Sequence, residues 1–245
     1  MKITEHKETT ATLVLEDGTK ITSKSFGYET SVSGEVVFNT AMTGYPESLT
    51  DPSYKGQILV LTYPLVGNYG APNEKLENDL LRFHESNMIH ISALVVSDYS
   101  FHYSHWNAKD SLGQWLKENR IPAIYGVDTR ALTKKLREQG TMLGKIIFGN
   151  EDIPFYDPSQ ENLVARVSTK KVTTYGKGKY KILLVDCGVK YNILRCLVEA
   201  GCRVTVVPAR AGAEEILSYH PDGVLLSNGP GDPAAVGYAL SLIHI

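Results

Sequence analysis

The sequence predicts an α/β protein with a mixed α/β N-terminal half, followed by a region that forms a parallel sheet. Runs of β-branched residues alternate with amphipathic helices, and from Tyr180 onward strands and helices alternate regularly with short connections. Strands joined by helical crossovers in this way lie parallel in one sheet. The length of 245 residues corresponds to about 1.6 domains of ordinary size, which means one large or two small domains.

Composition narrows the class of protein. Hydrophobic residues make up 42% and charged residues 21%, which is typical of globular proteins and excludes disorder. The net charge of −2 gives no reason to expect nucleic acid or an anionic membrane as a partner. There is no apolar run of about 18 residues, and the charged N-terminus does not resemble a signal peptide. Three cysteines do not form a disulfide framework, so we expect a reduced, cytoplasmic protein.

The N-terminal half begins with a predicted hairpin. Residues 12–15 and 19–23 are strand-like, and Asp17-Gly18 between them supplies the positive φ values of a tight turn. A helix over 111–120 has apolar residues at helical spacing, and Asp128 or Thr129 can cap a helix that runs to Gln139 before Gly140. Further strands are predicted over residues 35–40, 57–63, 89–97 and 141–148.

The C-terminal region predicts three parallel strands and two helices. The strands are expected over 181–185, 203–207 and 223–227, and the helices over 190–200 and 213–219. An open parallel sheet usually has more strands, so this domain is expected to be incomplete. The predicted organisation is a first domain over 1–148, a polar, turn-rich connector over 149–178 and a second domain over 179–245.

The loop at residues 227–233 is the most informative candidate site. Ligands of parallel α/β sheets bind beyond the carboxyl ends of the strands, where this loop is expected. Gly229 and Gly231 remove side chains, so backbone N–H groups can approach a ligand, and Pro230 stiffens the loop between them. Such donors suit an oxyanion hole. On spacing alone, a tight turn after a strand is the favoured interpretation.

Other sites are less well supported by the residues. Cys187 lies at a predicted strand end but not on a nucleophile elbow, so it is interpreted as structural. His102 and His105 lack further ligands of convergent type, so no metal site is predicted. Phosphate-binding glycine motifs of dinucleotide and P-loop proteins are absent, so no nucleotide cofactor is expected in this chain. The loop over 39–54, rich in hydroxyl groups and turn residues, is either a recognition loop or an ordered connection.

Four motifs, in order along the chain, resemble one known family. They are Glu35-Val-Val-Phe-Asn-Thr-Ala-Met-Thr-Gly-Tyr-Pro-Glu47, Leu49-Thr-Asp-Pro-Ser-Tyr54, Gly126-Val-Asp-Thr-Arg-Ala-Leu-Thr133 and Leu226-Ser-Asn-Gly-Pro-Gly-Asp-Pro233. The chain resembles the small subunit of glutamine-hydrolysing carbamoyl-phosphate synthase from about Leu13 to about Ala239. The last motif alone would indicate only a class I glutamine amidotransferase.

The resemblance implies a fold and an activity. It implies a family-specific N-terminal domain followed by a class I glutamine amidotransferase domain of flavodoxin-like fold. Such subunits hydrolyse L-glutamine through a cysteine thioester with Cys, His and Glu. The ammonia passes to a large subunit, which uses ATP, Mg and bicarbonate to make carbamoyl phosphate for arginine and pyrimidine synthesis. The implied partner is therefore this large subunit, in a heterodimer, with no cofactor held by this chain.

The resemblance also implies site residues. Ser53 matches a glutamine-contacting serine, Gly229 and Gly231 match glutamine-binding glycines, and Gly229 would offer an oxyanion-hole N–H. The family's nucleophile lies on a later Gly-Ile-Cys-Leu-Gly-His type elbow. We therefore expect the catalytic Cys, His and Glu beyond Ile245, and the chain to be a fragment that is inactive alone. The uncharged ending at 239–245 departs from the family pattern.

Two alternative functions remain at this point. The chain could be a non-catalytic module whose N-terminal domain only docks the large subunit. It could also belong to another class I amidotransferase, although such enzymes do not need the motif that begins at Asn39.

Overall fold

The computed structural model describes residues 9–240 and residue 242. The strands are β1 (Thr10–Leu15), β2 (Lys20–Ser25), β3 (Val32–Asn39), β4 (Gln57–Leu61), β5 (Leu65–Val66), β6 (Ala71–Pro72), β7 (Leu76–Glu77), β8 (Leu80–Leu81), β9 (Ala93–Val95), β10 (Asp98–Tyr99), β11 (Ala108–Asp110), β12 (Ala123–Tyr125), β13 (Met142–Phe148), β14 (Thr173–Tyr175), β15 (Tyr180–Asp186), β16 (Cys202–Pro208) and β17 (Gly223–Leu226). The helices are α1 (Tyr45–Thr50), α2 (Leu112–Glu118), α3 (Thr129–Gln139), α4 (Leu163–Val167), α5 (Tyr191–Glu199), α6 (Ala213–Ser218) and α7 (Gly237–Leu240). Short 3-10 turns cover Pro52–Tyr54, Pro158–Gln160 and Pro233–Val236.

The chain divides into two compact units that interleave in sequence. The first contains Met1–Tyr45, Gly56–Asn73 and Ile91–Asp157, and the second contains Pro46–Lys55, Glu74–His90 and Pro158–Ile245. Two segments from the first half of the chain therefore pack with the C-terminal region. The contiguous boundaries expected at 1–148, 149–178 and 179–245 remain a prediction.

The first unit is built around a barrel that seven of the described strands close in the order β1-β13-β3-β4-β9-β12-β2. β1 and β2 form the predicted antiparallel hairpin, with Gly18 at φ 86° in its turn. β3, β4, β9 and β12 run parallel. The predicted strands are therefore confirmed with shifted bounds: β1, β2 and β3 are longer than expected, and β4, β9 and β13 are shorter. The closure of β12 onto β2 is an additional feature.

Alternating apolar side chains fill the barrel because successive residues of a strand point to opposite faces. These core residues include Leu13, Leu15, Ile58, Val60 and Ile124, all fully buried. Helix α3 packs on this core through two of its leucines. Its predicted caps are confirmed: Asp128 accepts a hydrogen bond from the Ala131 N–H at 2.9 Å, and Gly140 follows at φ 90°.

The second unit contains a four-stranded sheet in the order β14-β16-β15-β17 among the described residues. β16, β15 and β17 are parallel, as predicted, and β14 pairs antiparallel with β16. The prediction of three strands is therefore wrong, because β14 adds a fourth. The sequence did not indicate β14, because this strand is only three residues long and lies in a Lys- and Gly-rich stretch without a strand pattern. The segment predicted as a connector contains both β14 and α4.

The core of the second unit lies on both faces of this sheet. One cluster includes Leu183, Val185, Val207 and Ile216. The other includes Leu184, Leu194, Val204 and, from the short β7–β8 hairpin, Leu80. This burial on both faces explains the continuous apolar sequence of β15.

Two terminal features of the sequence lie outside the described residues. They are the charged N-terminus at 1–8 and, in the uncharged ending, residues 241 and 243–245. Within the described ranges, every helix is too short or too polar to cross a membrane.

Candidate functional site

Two loops of the second unit meet at the carboxyl end of the parallel sheet. They are the β15 loop, residues 186–190, and the β17 loop, residues 227–233. β15 lies between β16 and β17 in the sheet. The chain runs from β15 to β16 on one side and then crosses to β17 on the other side of β15. Ligands of open α/β sheets bind at such a switch in strand order. The loop predicted from the sequence is therefore at the expected position.

Asp186 organises the β15 loop. Its buried carboxylate accepts hydrogen bonds from the Gly188 N–H at 2.9 Å, the Val189 N–H at 2.8 Å and the Thr169 N–H at 2.7 Å. The Cys187 N–H donates to the Ser227 Oγ at 2.9 Å, which connects the two loops. All these bonds hold backbone in place, so the carboxylate is structural.

The two candidate glycines of the β17 loop are needed for different reasons. A Cβ at Gly229 would collide with the carbonyl oxygen of Cys187, so the absence of a side chain permits close contact between the loops. Gly231 has a φ of 81°, which favours glycine although a Cβ would lie 3.5 Å from the nearest atom of Leu163. Both glycines are exposed, and neither N–H donates to an acceptor among the described residues.

Ser53 lies beside the β17 loop. It belongs to the 3-10 turn Pro52–Tyr54, where the Asp51 carboxylate accepts a hydrogen bond from the Ser53 N–H at 2.9 Å. The Asn228 side-chain amide donates to the Ser53 Oγ at 3.1 Å and to the Gly188 carbonyl at 3.2 Å. The structure thus brings Ser53 close to Gly229 through one intervening side chain.

Asn228 is a site residue to which the sequence analysis assigned no role. It stands directly before Gly229 in the motif, which was the available signal. Its Oδ1 is buried and has no hydrogen-bond partner among the described residues. Unsatisfied buried groups are uncommon in folded proteins and are concentrated at functional sites.

A charged pair that was not predicted supports the Ser53 turn. The Lys190 ammonium lies 2.8 Å from the Asp51 carboxylate, which is buried. Burial of Lys190 opposes its charge, but the hydrogen bond and the charge of Asp51 outweigh this and raise the pKa of Lys190. The pair therefore joins the end of the β15 loop to the turn that presents Ser53.

The structure agrees with a structural role for Cys187. Its side chain is buried, and burial together with the negative charge of Asp186 raises the pKa of its thiol. A nucleophilic cysteine needs the opposite shift, because the thiolate is the reactive form.

A cleft of about 350 Å³ opens beside the β15 loop, lined in part by Pro52, His90, Arg166, Gly188 and Tyr191. It borders the Ser53 turn but is not lined by Gly229 or Gly231. His, Cys, Asp and Glu side chains do not form a group of three that could hold a metal in the part of the chain that the structure describes.

Comparison with known families agrees with the motifs. The family described as carbamoyl-phosphate synthase small chain, CPSase domain, matches residues 13–146, more than half of the chain. The chain belongs to the carbamoyl-phosphate synthase small-chain family. The class-I glutamine amidotransferase family matches residues 183–244, so the predicted fold class, a small-chain domain followed by part of an amidotransferase domain, is confirmed.

Similar proteins carry related names. A human protein named carbamoyl-phosphate synthase (ammonia), mitochondrial, is 53% identical over 231 residues, 93% of this chain and 15% of that protein. The carbamoyl phosphate synthase arginine-specific small chain of Saccharomyces cerevisiae is 49% identical over 92% of this chain and 56% of its own length. Multifunctional protein CAD of Squalus acanthias is 51% identical over 91% of this chain and 10% of its own length. The chain thus spans about half of the yeast small chain and less of the two others.

Proposed function

We propose that this chain provides the glutamine-binding part of the amidotransferase site of a carbamoyl-phosphate synthase. The observation that carries the proposal is the cluster of Ser53, Asn228 and two exposed glycine N–H groups at the switch in strand order. Donors that the backbone holds in place stabilise developing negative charge without further reorganisation. The family match over both regions supports the same assignment.

The proposed reaction is hydrolysis of the L-glutamine side-chain amide. A cysteine thiolate attacks the amide carbon, and the carbonyl oxygen gains negative charge, which the Gly229 N–H would stabilise. Collapse of this intermediate leaves a thioester and releases ammonia, and water then releases glutamate. Ser53 and Gly231 would hold the substrate. Burial, and to a smaller extent the charge of Asp186, raises the pKa of the Cys187 thiol and disfavours its thiolate, so Cys187 is not assigned as the nucleophile.

Binding of L-glutamine to this chain, followed by NMR or calorimetry, tests the site. Ser53→Ala should weaken binding about tenfold, since one hydrogen bond to a polar ligand is lost. Ser159→Ala is a matched control, because Ser159 lies in a second Asp-Pro-Ser 3-10 turn, Pro158–Gln160. Equal effects of the two substitutions would contradict the proposal.

An ammonia-release assay on the same protein tests the assignment of the nucleophile. We expect no ammonia from L-glutamine above background. Turnover that is lost in Gly229→Ala but survives in Cys187→Ala would show that this chain contains a nucleophile other than Cys187. Turnover that Cys187→Ala abolishes would overturn the structural role of Cys187.

The proposed partner is the large chain of the synthase, which would use ATP, Mg and bicarbonate. The match over residues 13–146 supports this, because that region is specific to the small-chain family rather than to amidotransferases in general. Co-purification of the chain with a large chain tests the pairing. If binding to the large chain is retained but L-glutamine does not bind, the non-catalytic docking role is the correct function.

The pathway and compartment are also proposals. We propose carbamoyl phosphate synthesis for arginine and pyrimidines in the cytoplasm. The name of the yeast relative describes it as arginine-specific, whereas the name of the human relative contains the terms ammonia and mitochondrial. Fractionation of the source cells would test the compartment.

A further inference from the structure

The first unit contains an aromatic cup that the proposed glutamine chemistry does not use. Its cavity of about 140 Å³ lies where β2, β10 and β12 end, beside helix α2. Four aromatic side chains form it: Phe26, Tyr99, Phe101 and Tyr125. Phe26 is buried at its base and stacks on Tyr99 with ring centroids 4.0 Å apart. Phe101 meets Tyr99 edge-on at 4.8 Å and Tyr125 at 5.7 Å, so these rings meet nearly at right angles.

Several polar groups of the cup are already engaged. The Tyr99 hydroxyl accepts a hydrogen bond from the Gly113 N–H at 3.0 Å. Gln114 donates to Glu118 at 2.8 Å, and Ser111 caps α2 by accepting from the Gln114 N–H at 3.1 Å. These bonds fix the wall of the cup and leave the groups little freedom to bind a ligand.

Three other polar side chains of the same cup lack partners. Within residues 9–240, the Glu29 carboxylate and the Lys117 ammonium form no ion pair or hydrogen bond, either with each other or with another residue. The Ser25 Oγ is buried and has no hydrogen-bond partner among the described residues. Glu29 and Lys117 are exposed, whereas Phe26 is buried, so opposite charges flank the mouth of an apolar base.

The size of the cavity limits what can enter it. A closed apolar cavity of about 150 Å³ is large enough for benzene. Drug-sized ligands generally need pockets of about 300 Å³ or more. The size of the cup is therefore suited to a single small side chain. The charges of Glu29 and Lys117 at its mouth are suited to the ammonium and carboxylate groups of a small ligand.

We propose that this cup binds one free L-α-amino acid with an apolar or aromatic side chain. The side chain would lie against the four rings, the α-ammonium group would pair with Glu29, and the α-carboxylate would pair with Lys117. The Ser25 hydroxyl would supply a further hydrogen bond. Lys117 disfavours a purely cationic occupant, such as a lysine side chain of a partner, because like charges at one site repel.

Titration of L-phenylalanine into the full chain, followed by calorimetry or by NMR, tests the proposal. Three comparison compounds each lack one feature: 3-phenylpropionate has no ammonium, 2-phenylethylamine has no carboxylate and glycine has no side chain. We expect the affinity of each comparison compound to be at least about tenfold lower than that of L-phenylalanine. Tighter binding of 2-phenylethylamine would instead identify a cation site and overturn the proposal, as would the absence of L-phenylalanine binding at about 10 mM.

Two substitutions test whether Glu29 binds the α-ammonium group of the ligand and whether Lys117 binds its α-carboxylate. Glu29→Gln should weaken L-phenylalanine binding about five- to tenfold and leave 3-phenylpropionate unchanged. Lys117→Met should weaken L-phenylalanine similarly and leave 2-phenylethylamine unchanged. Glu138→Gln and Lys134→Met, on exposed positions of α3, are the matched controls. If each substitution weakened all three compounds equally, the assignment of the charges would be wrong.

The four charged positions are exposed, so their substitution should not affect folding. Circular dichroism checks this directly. The cup is also independent of the glutamine proposal, since Ser53→Ala should leave L-phenylalanine binding unchanged. Failure of one proposal is therefore distinguishable from failure of the other.

Discussion

Asn228 donates one hydrogen bond to the Ser53 hydroxyl at 3.1 Å and another to the Gly188 carbonyl at 3.2 Å. One amide thus connects the turn that carries Ser53 with the loops that follow β15 and β17. Two residues 175 positions apart in the chain are held at hydrogen-bond distance by this contact. The orientation of the Ser53 hydroxyl therefore depends on Asn228.

Replacing Asn228 by Ala should weaken both folding and glutamine binding. Loss of two hydrogen bonds should lower the free energy of unfolding by about 1–2 kcal/mol, measured in urea. Binding of L-glutamine should weaken about as much as in Ser53→Ala, and the double variant should add little, because the two residues act as a unit. Asn192→Ala is the control, since this asparagine is exposed on α5. Additive effects of the two substitutions would contradict the coupling.

The two glycines of the β17 loop should differ in their tolerance of alanine. Gly229→Ala places a methyl group against the Cys187 carbonyl, so we expect a loss of about 2–3 kcal/mol from the free energy of unfolding. Gly231→Ala introduces only an unfavourable positive φ, which costs about 1 kcal/mol. Urea unfolding of both variants tests the order, and a larger loss for Gly231→Ala would show that the loops do not pack as described.

The stability of the chain should fall between pH 7 and pH 5 because of His90. Burial, and to a smaller extent the charge of Lys55, lowers the pKa of this side chain to about 4, against the opposing charge of Asp51. The unfolded chain takes up a proton near pH 6.5 and the folded chain does not. The His90 contribution is therefore present above about pH 6.5 and declines by about 2 kcal/mol at pH 5.

Substitution of His90 isolates this contribution. His90→Phe should reduce the pH dependence of urea unfolding, while some slope remains, because burial also lowers the pKa of His84. The exposed His220, replaced by Gln, serves as the control. An unchanged slope in His90→Phe would show that His90 is protonated in the folded chain.

Alkylation should distinguish the cysteines. Cys196 is exposed, whereas Cys187 is buried and has a raised pKa, so iodoacetamide at pH 7 should modify Cys196 at least about tenfold faster. Mass spectrometry of the intact and digested chain measures both rates. All three cysteines should react alike after denaturation in urea. Preferential labelling of Cys187 in the folded chain would indicate an activated thiolate and contradict its structural role.

Local signals in the sequence predicted the longer strands and helices, whereas most of the two- and three-residue strands were not predicted. Asp17-Gly18 identifies the first hairpin, and Asp128 with Gly140 identifies both ends of α3, because turns and caps depend on nearby residues. Pairings between distant segments were not predicted. The closure of β12 onto β2 is one such pairing, and the packing of Leu80 with Leu184 and Leu194 is another.

The residues of the candidate site could be predicted from the sequence to a smaller extent than the strands and helices. Residue types alone left a ligand-binding loop at Gly229 and Gly231 as an alternative to a tight turn. The family resemblance favoured the binding loop and added Ser53. The Asp51–Lys190 pair and the Asn228 contacts join segments that are far apart in sequence. No periodicity or spacing encodes such contacts, because they depend on how the two loops and the turn pack.

The barrel of the first unit and the four-stranded sheet of the second unit differ in whether they have an edge strand, and this difference affects the solubility of the protein. The barrel of the first unit is closed, so its seven described strands offer no free backbone to another molecule. In the second unit, β17 is an edge strand among the described residues, and its Val224 and Leu226 are exposed by 42% and 38%. Concentrated samples of this chain should therefore self-associate through β17 rather than through the barrel, and a charged residue at position 224 should raise the solubility of the chain.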